Sequence, residues 1–285
     1  MSKKYAILPL LLLLAIGCTQ KETSTDRITH RSEPVAVSDT IREKEETSKT
    51  ENKPGAEALL KAYPDFIVAV TDNKVKLADG SSIVYDDGRK KGFKELLDDT
   101  DVEDMFYKPY RVPSGAPEYL EDVGRMRSEQ LFKKMYGSSS NAVQSNLVSV
   151  QWFGGNVLFN SRNGAADSLR AVAAELQKHP ELRKYLNSSG TFNWRPVRGA
   201  KRMSAHSYGI AFDIGVDHSD YWQWNADTNN EMKHIKYANK IPKEIVRIFE
   251  RHGFIWGSSW YHYDTMHFEF RPEILWYARL SSETK

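Results

Sequence analysis

Two stretches of this 285-residue chain hold the side chains best suited to chemistry: Ser204-Ala205-His206-Ser207-Tyr208-Gly209-Ile210-Ala211-Phe212-Asp213 and, about fifty positions later, Asp264-Thr265-Met266-His267-Phe268-Glu269. His206, Asp213 and His267 offer two imidazoles and a carboxylate, the number of protein ligands a catalytic zinc takes while leaving a fourth position open for water. Asp264, three residues before His267, is where a carboxylate could serve as general base toward that water. The chain has eight histidines, and any one alone is more often a surface or core residue than a ligand; the combination is what points to a metal. The nearest competitor pairs His262 with His267, but residues five apart on one strand point to opposite faces. Glu269 fits two roles, a base in place of Asp264 or a partner that orients an imidazole.

The elements that must position these groups follow from the local pattern. Ala211 to Val216 is strand-like, with Asp213 on the face opposite Phe212 and Ile214. His267-Phe268-Glu269-Phe270 alternates in the same way, so His267 and Glu269 share one face and both phenylalanines enter the core. If the two strands pair, Asp213 and His267 can approach one ion, and His206 comes from a turn leading into the first strand.

Elsewhere, Phe66 to Val70, Lys74 to Leu77 and Ser82 to Tyr85 form a β-meander, with turns at Asp72-Asn73 and Asp79-Gly80. Helical fragments are expected at Phe93 to Leu97 and Val102 to Phe106, and a long helix from about Glu118 to Tyr136. A hairpin spans Leu147 to Phe159 around Gly154-Gly155. Leu169, Val172, Ala173 and Leu176 mark a helix that ends at His179-Pro180, and another runs from Pro242, in its first turn, to Gly253. Tyr221, Trp222 and Trp224 read as packing against the domain, with a groove lining as the alternative.

Composition sets outer limits. Lys3 and Lys4 precede an apolar run, Ala6 to Ile16, too short for a comfortable membrane span, so the first eighteen residues read as an export signal. Its end at Cys18 resembles a bacterial lipoprotein signal, which implies lipidation of Cys18; Ala15, where such signals more often carry Leu, leaves a plain soluble export signal as the alternative. Cys18 is the only cysteine, so no intramolecular disulfide can form. Thr19 gives no aspartate-type retention signal, which favours the outer membrane in a two-membrane bacterium. Without Lys3 and Lys4, 38 basic residues face 38 acidic ones, and no basic stripe argues for nucleic acid.

Residues 19 to 55 hold no aromatic residue and are rich in Thr, Ser, Glu and Lys, the composition of a disordered tether. As a coil it would span on the order of 30 to 35 Å. The chain thus divides into a signal (1–18), a tether (19–55), an N-terminal meander and helical region packed on the domain (56–106), and a domain holding the metal motif (107–285).

The motifs Ser-x-His-x-x-Gly-x-Ala-x-Asp (204–213) and Asp-x-x-His-Phe-Glu (264–269) resemble those of the D-alanyl-D-alanine carboxypeptidase-like zinc peptidases, a group with VanY-type carboxypeptidases, VanX-type dipeptidases and L-alanyl-D-glutamate endopeptidases. The likeness extends from about Tyr107 through Gly124-Arg125 and Asn193-Trp194-Arg195-Pro196 to Glu273. It implies an α+β fold of the DD-peptidase/hedgehog-like kind, in which a small antiparallel sheet carries the zinc site and helices flank it. It also implies one Zn2+ held by His206, Asp213 and His267, and Asp264 as base where many relatives carry Glu. Arg195 would stabilise the oxyanion, and Ser204 would lie near the substrate's termini or cap a turn.

The implied substrate is a peptidoglycan stem peptide, cut by a carboxypeptidase or an endopeptidase that works as a monomer. No Gly-x-Ser-x-Gly elbow or second thiol supports a covalent alternative. The rival from another class is a non-catalytic wall-binding lipoprotein that keeps the fold.

Overall fold

The computed structural model describes residues 53–226 and 228–283, so the expectations for the signal, Cys18 and nearly all of the tether lie outside the described residues. Pro54 opens helix α1 (Pro54–Ala62), whose Ala56, Ala58 and Leu59 are buried against the C-terminal helix. Strands β1 (Ile67–Thr71), β2 (Lys74–Leu77) and β3 (Ser82–Val84) then form the expected antiparallel meander. Asp72 and Asn73, both at positive φ, make the two-residue turn between Thr71 and Lys74. Helix α2 (Phe93–Asp98) and a 3-10 turn (Glu103–Phe106) follow.

The long helix expected from Glu118 is cut down to α3 (Glu129–Tyr136). Gly124 explains the loss: it sits at φ +97°, outside helical space, and a Cβ there would meet Ile255 at 2.3 Å. The residues before α3 instead run irregularly toward the interior, where Asp122 and Arg125 find tertiary partners. After α4 (Ser140–Gln144) comes the hairpin of β4 (Leu147–Trp152) and β5 (Gly155–Asn160). Trp152 pairs with Gly155, so its turn is Phe153-Gly154, one residue earlier than expected. Helix α5 (Ala165–Leu176) carries the predicted apolar face inward.

The sheet that matters for chemistry has four antiparallel strands in the order β6, β7, β9, β8: β6 (Ser188–Gly190), β7 (Ala211–Ile214), β9 (His267–Phe270) and β8 (Phe254–Trp256). Short α6 (Trp222–Ala226) and α7 (Lys243–Arg251) lie between β7 and β8 in the chain, and α8 (Pro272–Glu283) follows β9. Pro242 caps α7 in an extended conformation instead of joining its first turn. The protein is α+β, as expected.

One face of this sheet is core. Phe212 and Phe268 stand opposite each other in the β7–β9 ladder, and Phe249 of α7 stacks on Phe268 with ring centroids 4.0 Å apart. Each such buried ring contributes roughly 1.5–3 kcal/mol relative to exposure. That packing holds the register in which Asp213 faces His267 and Ala211 faces Glu269 on the other side of the sheet. A slip of one residue would send the polar set into the phenylalanine cluster, so burial on one face fixes geometry on the other.

Candidate metal centre

Each histidine arrives with its lone pair already aimed. His206 sits in a 3-10 turn (Ala205–Tyr208) capped by the Ser204 hydroxyl and closed by Gly209 at φ +65°. A Cβ at Gly209 would meet Leu147 at 2.5 Å, so the turn can lie close to β4 only with glycine there. His206 Nδ1 donates to the Thr191 carbonyl at 2.7 Å, which leaves Nε2 as the free lone pair. His267 Nε2 donates to Glu269 Oε1 at 2.9 Å, which leaves Nδ1.

These two nitrogens and the Asp213 carboxylate converge. His206 Nε2 lies 3.2 Å from His267 Nδ1 and 3.2 Å from Asp213 Oδ2, and His267 Nδ1 lies 2.9 Å from Asp213 Oδ1. Ligands of a tetrahedral zinc with bonds of about 2.0–2.1 Å stand about 3.3 Å apart, so the donor set has the size and chemistry for that ion. Burial opposes charge on His267, but hydrogen bonds with Asp213 and Glu269 outweigh it and hold its pKa up to about 10. Burial likewise pushes the Asp213 carboxyl up, and the two imidazoles more than reverse this, holding it well below the usual carboxylate range.

Asp264 enters the same cleft from the segment between β8 and β9, bridged to Tyr221. Its Oδ1 is buried with no hydrogen-bond partner, the kind of orphan that marks a functional group. Burial and the neighbouring Asp213 raise its pKa to about 7. Glu269 differs in every respect: it is fully buried, paired with Arg127 and Arg271, and shielded from the cleft behind His267. Of its two expected roles, the geometry gives it that of orienting the imidazole.

His262 is not on the strand that carries His267. Both its ring nitrogens face acceptors, Nδ1 the Asp122 carboxylate at 2.7 Å and Nε2 the Glu231 carbonyl at 2.8 Å, so neither is available to a metal. Burial pushes the Asp122 carboxyl up, but Arg125 and His262 outweigh it and hold it at about 2, below its usual 3.8. The stability this supplies is present above about pH 4 and is lost as pH falls toward 2, on the order of 2 kcal/mol. In urea titrations the gap between wild type and Asp122→Asn should therefore shrink from pH 7 to pH 2.5. An undiminished gap would show that the carboxylate charge contributes nothing.

The cleft around these residues has a volume of about 540 Å³ and continues into a second of about 490 Å³ that shares Arg125, Arg198, Arg202, Tyr221 and Trp222. Ser204 and Arg195 both line it; Ser204 caps the His206 turn, and the exposed Arg195 guanidinium donates to the Pro196 carbonyl. Trp222 is buried against the His262 ring, as the packing reading expects, whereas Trp224 is 58% exposed at the cleft. Arg127 went unrecognised in the sequence because it fell inside the expected helix from Glu118. Gly124, two residues before Met126, was the signal that this helix would not form. Arg127 lines the cleft and donates Nε to Glu269 Oε2 at 2.9 Å.

Residues 198–270 match the family model for D-alanyl-D-alanine carboxypeptidase, the family whose motifs the chain resembles. That stretch contains all three candidate ligands and Asp264, and its match supports a peptidase of this general kind. No curated protein and no solved structure matches the chain.

Proposed function

We propose that the protein is an exported zinc metallopeptidase that hydrolyses peptide bonds in the stem peptides of peptidoglycan. The observation that carries this reading is the convergence of three ligand atoms, their lone pairs set by Thr191 and Glu269, beside a carboxylate with a buried, orphaned oxygen. Zinc, when bound, would polarise the scissile carbonyl and make water nucleophilic at neutral pH. Asp264 would take the proton from that water and deliver it to the leaving amine. Two guanidinium groups, Arg127 held by Glu269 and Arg195 at the rim, are placed to stabilise the developing oxyanion. Ser204 would contact the substrate's main chain or terminus from the edge of the His206 turn.

Charge in the cleft supports a carboxylate-bearing peptide. Five arginines line it: Arg125, Arg127 and Arg202 are paired with carboxylates behind the wall, and Arg195 and Arg198 add cationic charge at the same cleft. Such a wall draws anionic ligands and raises their local concentration. A non-catalytic wall-binding protein is the poorer reading, because mere binding has no use for a carboxylate with a buried, unpartnered oxygen beside a metal set.

The test is the zinc content of the purified protein, together with mass analysis of the products from defined muropeptides. We expect one zinc per chain and release of a single peptide fragment, whose mass identifies the bond and separates carboxypeptidase from endopeptidase. Stoichiometric zinc with no release from any muropeptide would sink the enzyme reading and favour the binding module.

The same proposal places the protein in the cell envelope through lipid on Cys18. No described helix is long and apolar enough to cross a membrane. Cys18→Ser should move the protein from the membrane fraction to the soluble one, and an unchanged distribution would refute lipidation.

A further inference from the structure

We propose that Tyr63, at the end of helix α1, is a positioning residue of the metal centre, acting on His267 through a buried chain of Glu273, Arg271 and Glu269. The proposal rests on the metal reading above. It makes the N-terminal helix part of the site.

The chain of contacts begins on β9 and runs past its end into α8. His267, Glu269, Arg271 and Glu273 occupy every second position from β9 into the first turn of α8, and each is buried, the last three completely. His267 Nε2 donates to Glu269 Oε1 at 2.9 Å, and Arg271 Nη1 reaches Glu269 Oε2 at 3.4 Å. Arg271 Nε donates to Glu273 Oε1, and the Tyr63 hydroxyl closes the chain on Glu273 Oε2 at 2.6 Å. Burial and the adjacent Glu273 raise the Tyr63 pKa well above its ordinary value, so the hydroxyl keeps its proton and donates.

Charge balance shows what the chain is for. Glu269 and Glu273 face Arg271 and Arg127, two charges of each sign, so the network is neutral without any charge on His267. A cation that displaces the proton from Nδ1 therefore leaves no unbalanced charge behind the ring. Arg271 is also pinned by the Gly124 carbonyl at 2.8 Å, so the carboxylates on either side of it are held by one rigid guanidinium. Without the Tyr63 hydroxyl, Glu273 Oε2 is a buried carboxylate oxygen lacking its donor. A donor must then come from the neighbouring, otherwise unpartnered Tyr136 hydroxyl or from Arg271, and drawing Arg271 away from Glu269 loosens the bond that fixes the His267 tautomer and ring. Tyr63, Arg271 and Glu273 all lie outside the 198–270 segment that matches the peptidase family.

The experiment is competition for Zn2+ against a chromophoric chelator, using the full chain and its Tyr63→Phe, Glu273→Gln and Leu59→Ala variants. Leu59 is a fully buried residue of α1 outside the chain of contacts, so its truncation loosens the same helix without touching the network. We expect Tyr63→Phe to weaken Zn2+ binding about 3- to 10-fold and Glu273→Gln about 10- to 100-fold, the range typical for partners behind metal ligands. Leu59→Ala should lower the melting temperature and leave Zn2+ affinity within about twofold of wild type, as a change outside the network. Unchanged affinity in Tyr63→Phe, or an equal loss in Leu59→Ala, would reduce Tyr63 to a packing residue and overturn the proposal. Wild type that binds no zinc, or His206→Ala that still binds it with full affinity, would overturn the metal reading and this proposal with it.

Discussion

Asp264→Asn should keep its zinc and its fold while releasing peptide about 10²- to 10⁴-fold more slowly than wild type, the range for removal of a positioned general base. The residue is half-buried, its buried Oδ1 has no partner, and its pKa is raised to about 7 by desolvation and by Asp213. A carboxylate held there can accept a proton at neutral pH and return it to a leaving amine. Asparagine preserves the shape and removes that capacity. Because the substitution also deletes a desolvated group near another carboxylate, the zinc-free variant should melt no lower than wild type. The measurements are kcat on the cleaved muropeptide, zinc per chain, and melting temperature. A variant that turns over at the wild-type rate would remove Asp264 from the mechanism.

Glu269→Gln is expected to fail in the opposite way. Glu269 is fully buried among Arg127, Arg271 and His267. Burial pushes its carboxyl up, but Arg127 and His267 more than compensate and hold it well below the usual range, so it is ionised at neutral pH. A neutral amide would leave the buried Arg271 and the half-buried Arg127 short of one countercharge, a loss of about 3–5 kcal/mol. The sign follows: stability contributed by a depressed carboxylate is present above its unfolded pKa and is lost on acidification, so the variant's deficit should be largest at neutral pH and shrink in acid. Zinc affinity should fall about 10- to 100-fold as well, since the His267 ring loses the acceptor that orients it. Denaturant midpoints at pH 7 and pH 2.5, with zinc competition at neutral pH, measure both. If Glu269→Gln instead kept wild-type stability and zinc and lost only its rate, Glu269 would be the base and the two roles would exchange.

That distinction could not be drawn from residue order. Asp264 and Glu269 are carboxylates at −3 and +2 from His267, and strand alternation put Glu269 on the ligand's face without revealing which of the two meets the cleft. Arg127 and Arg271 decide it, because they occupy Glu269 from behind. They come from a loop about 140 residues upstream and from the strand end.

The local pattern determined a good deal by itself. Alternation around Phe212 and around Phe268 was enough to predict two strands whose polar faces meet at Asp213 and His267, because a strand has only two faces and phenylalanine takes one of them. The meander, α5 and the core of α7 followed from the same periodicities. The segment before α3 did not, since helical propensity there is overruled by the close approach of Gly124 to Ile255 and by the pairing of Asp122 with His262. Tertiary structure alone decided which nitrogen of each histidine faces the metal, which carboxylate stays unpartnered, and that Tyr63 reaches the site through Glu273. Apart from the His267–Glu269 pair, two positions apart on one strand, those outcomes depend on partners 15 to 210 positions away, such as Thr191 for His206 and Glu273 for Tyr63, and spacing along a chain carries no record of contacts made only when distant segments pack.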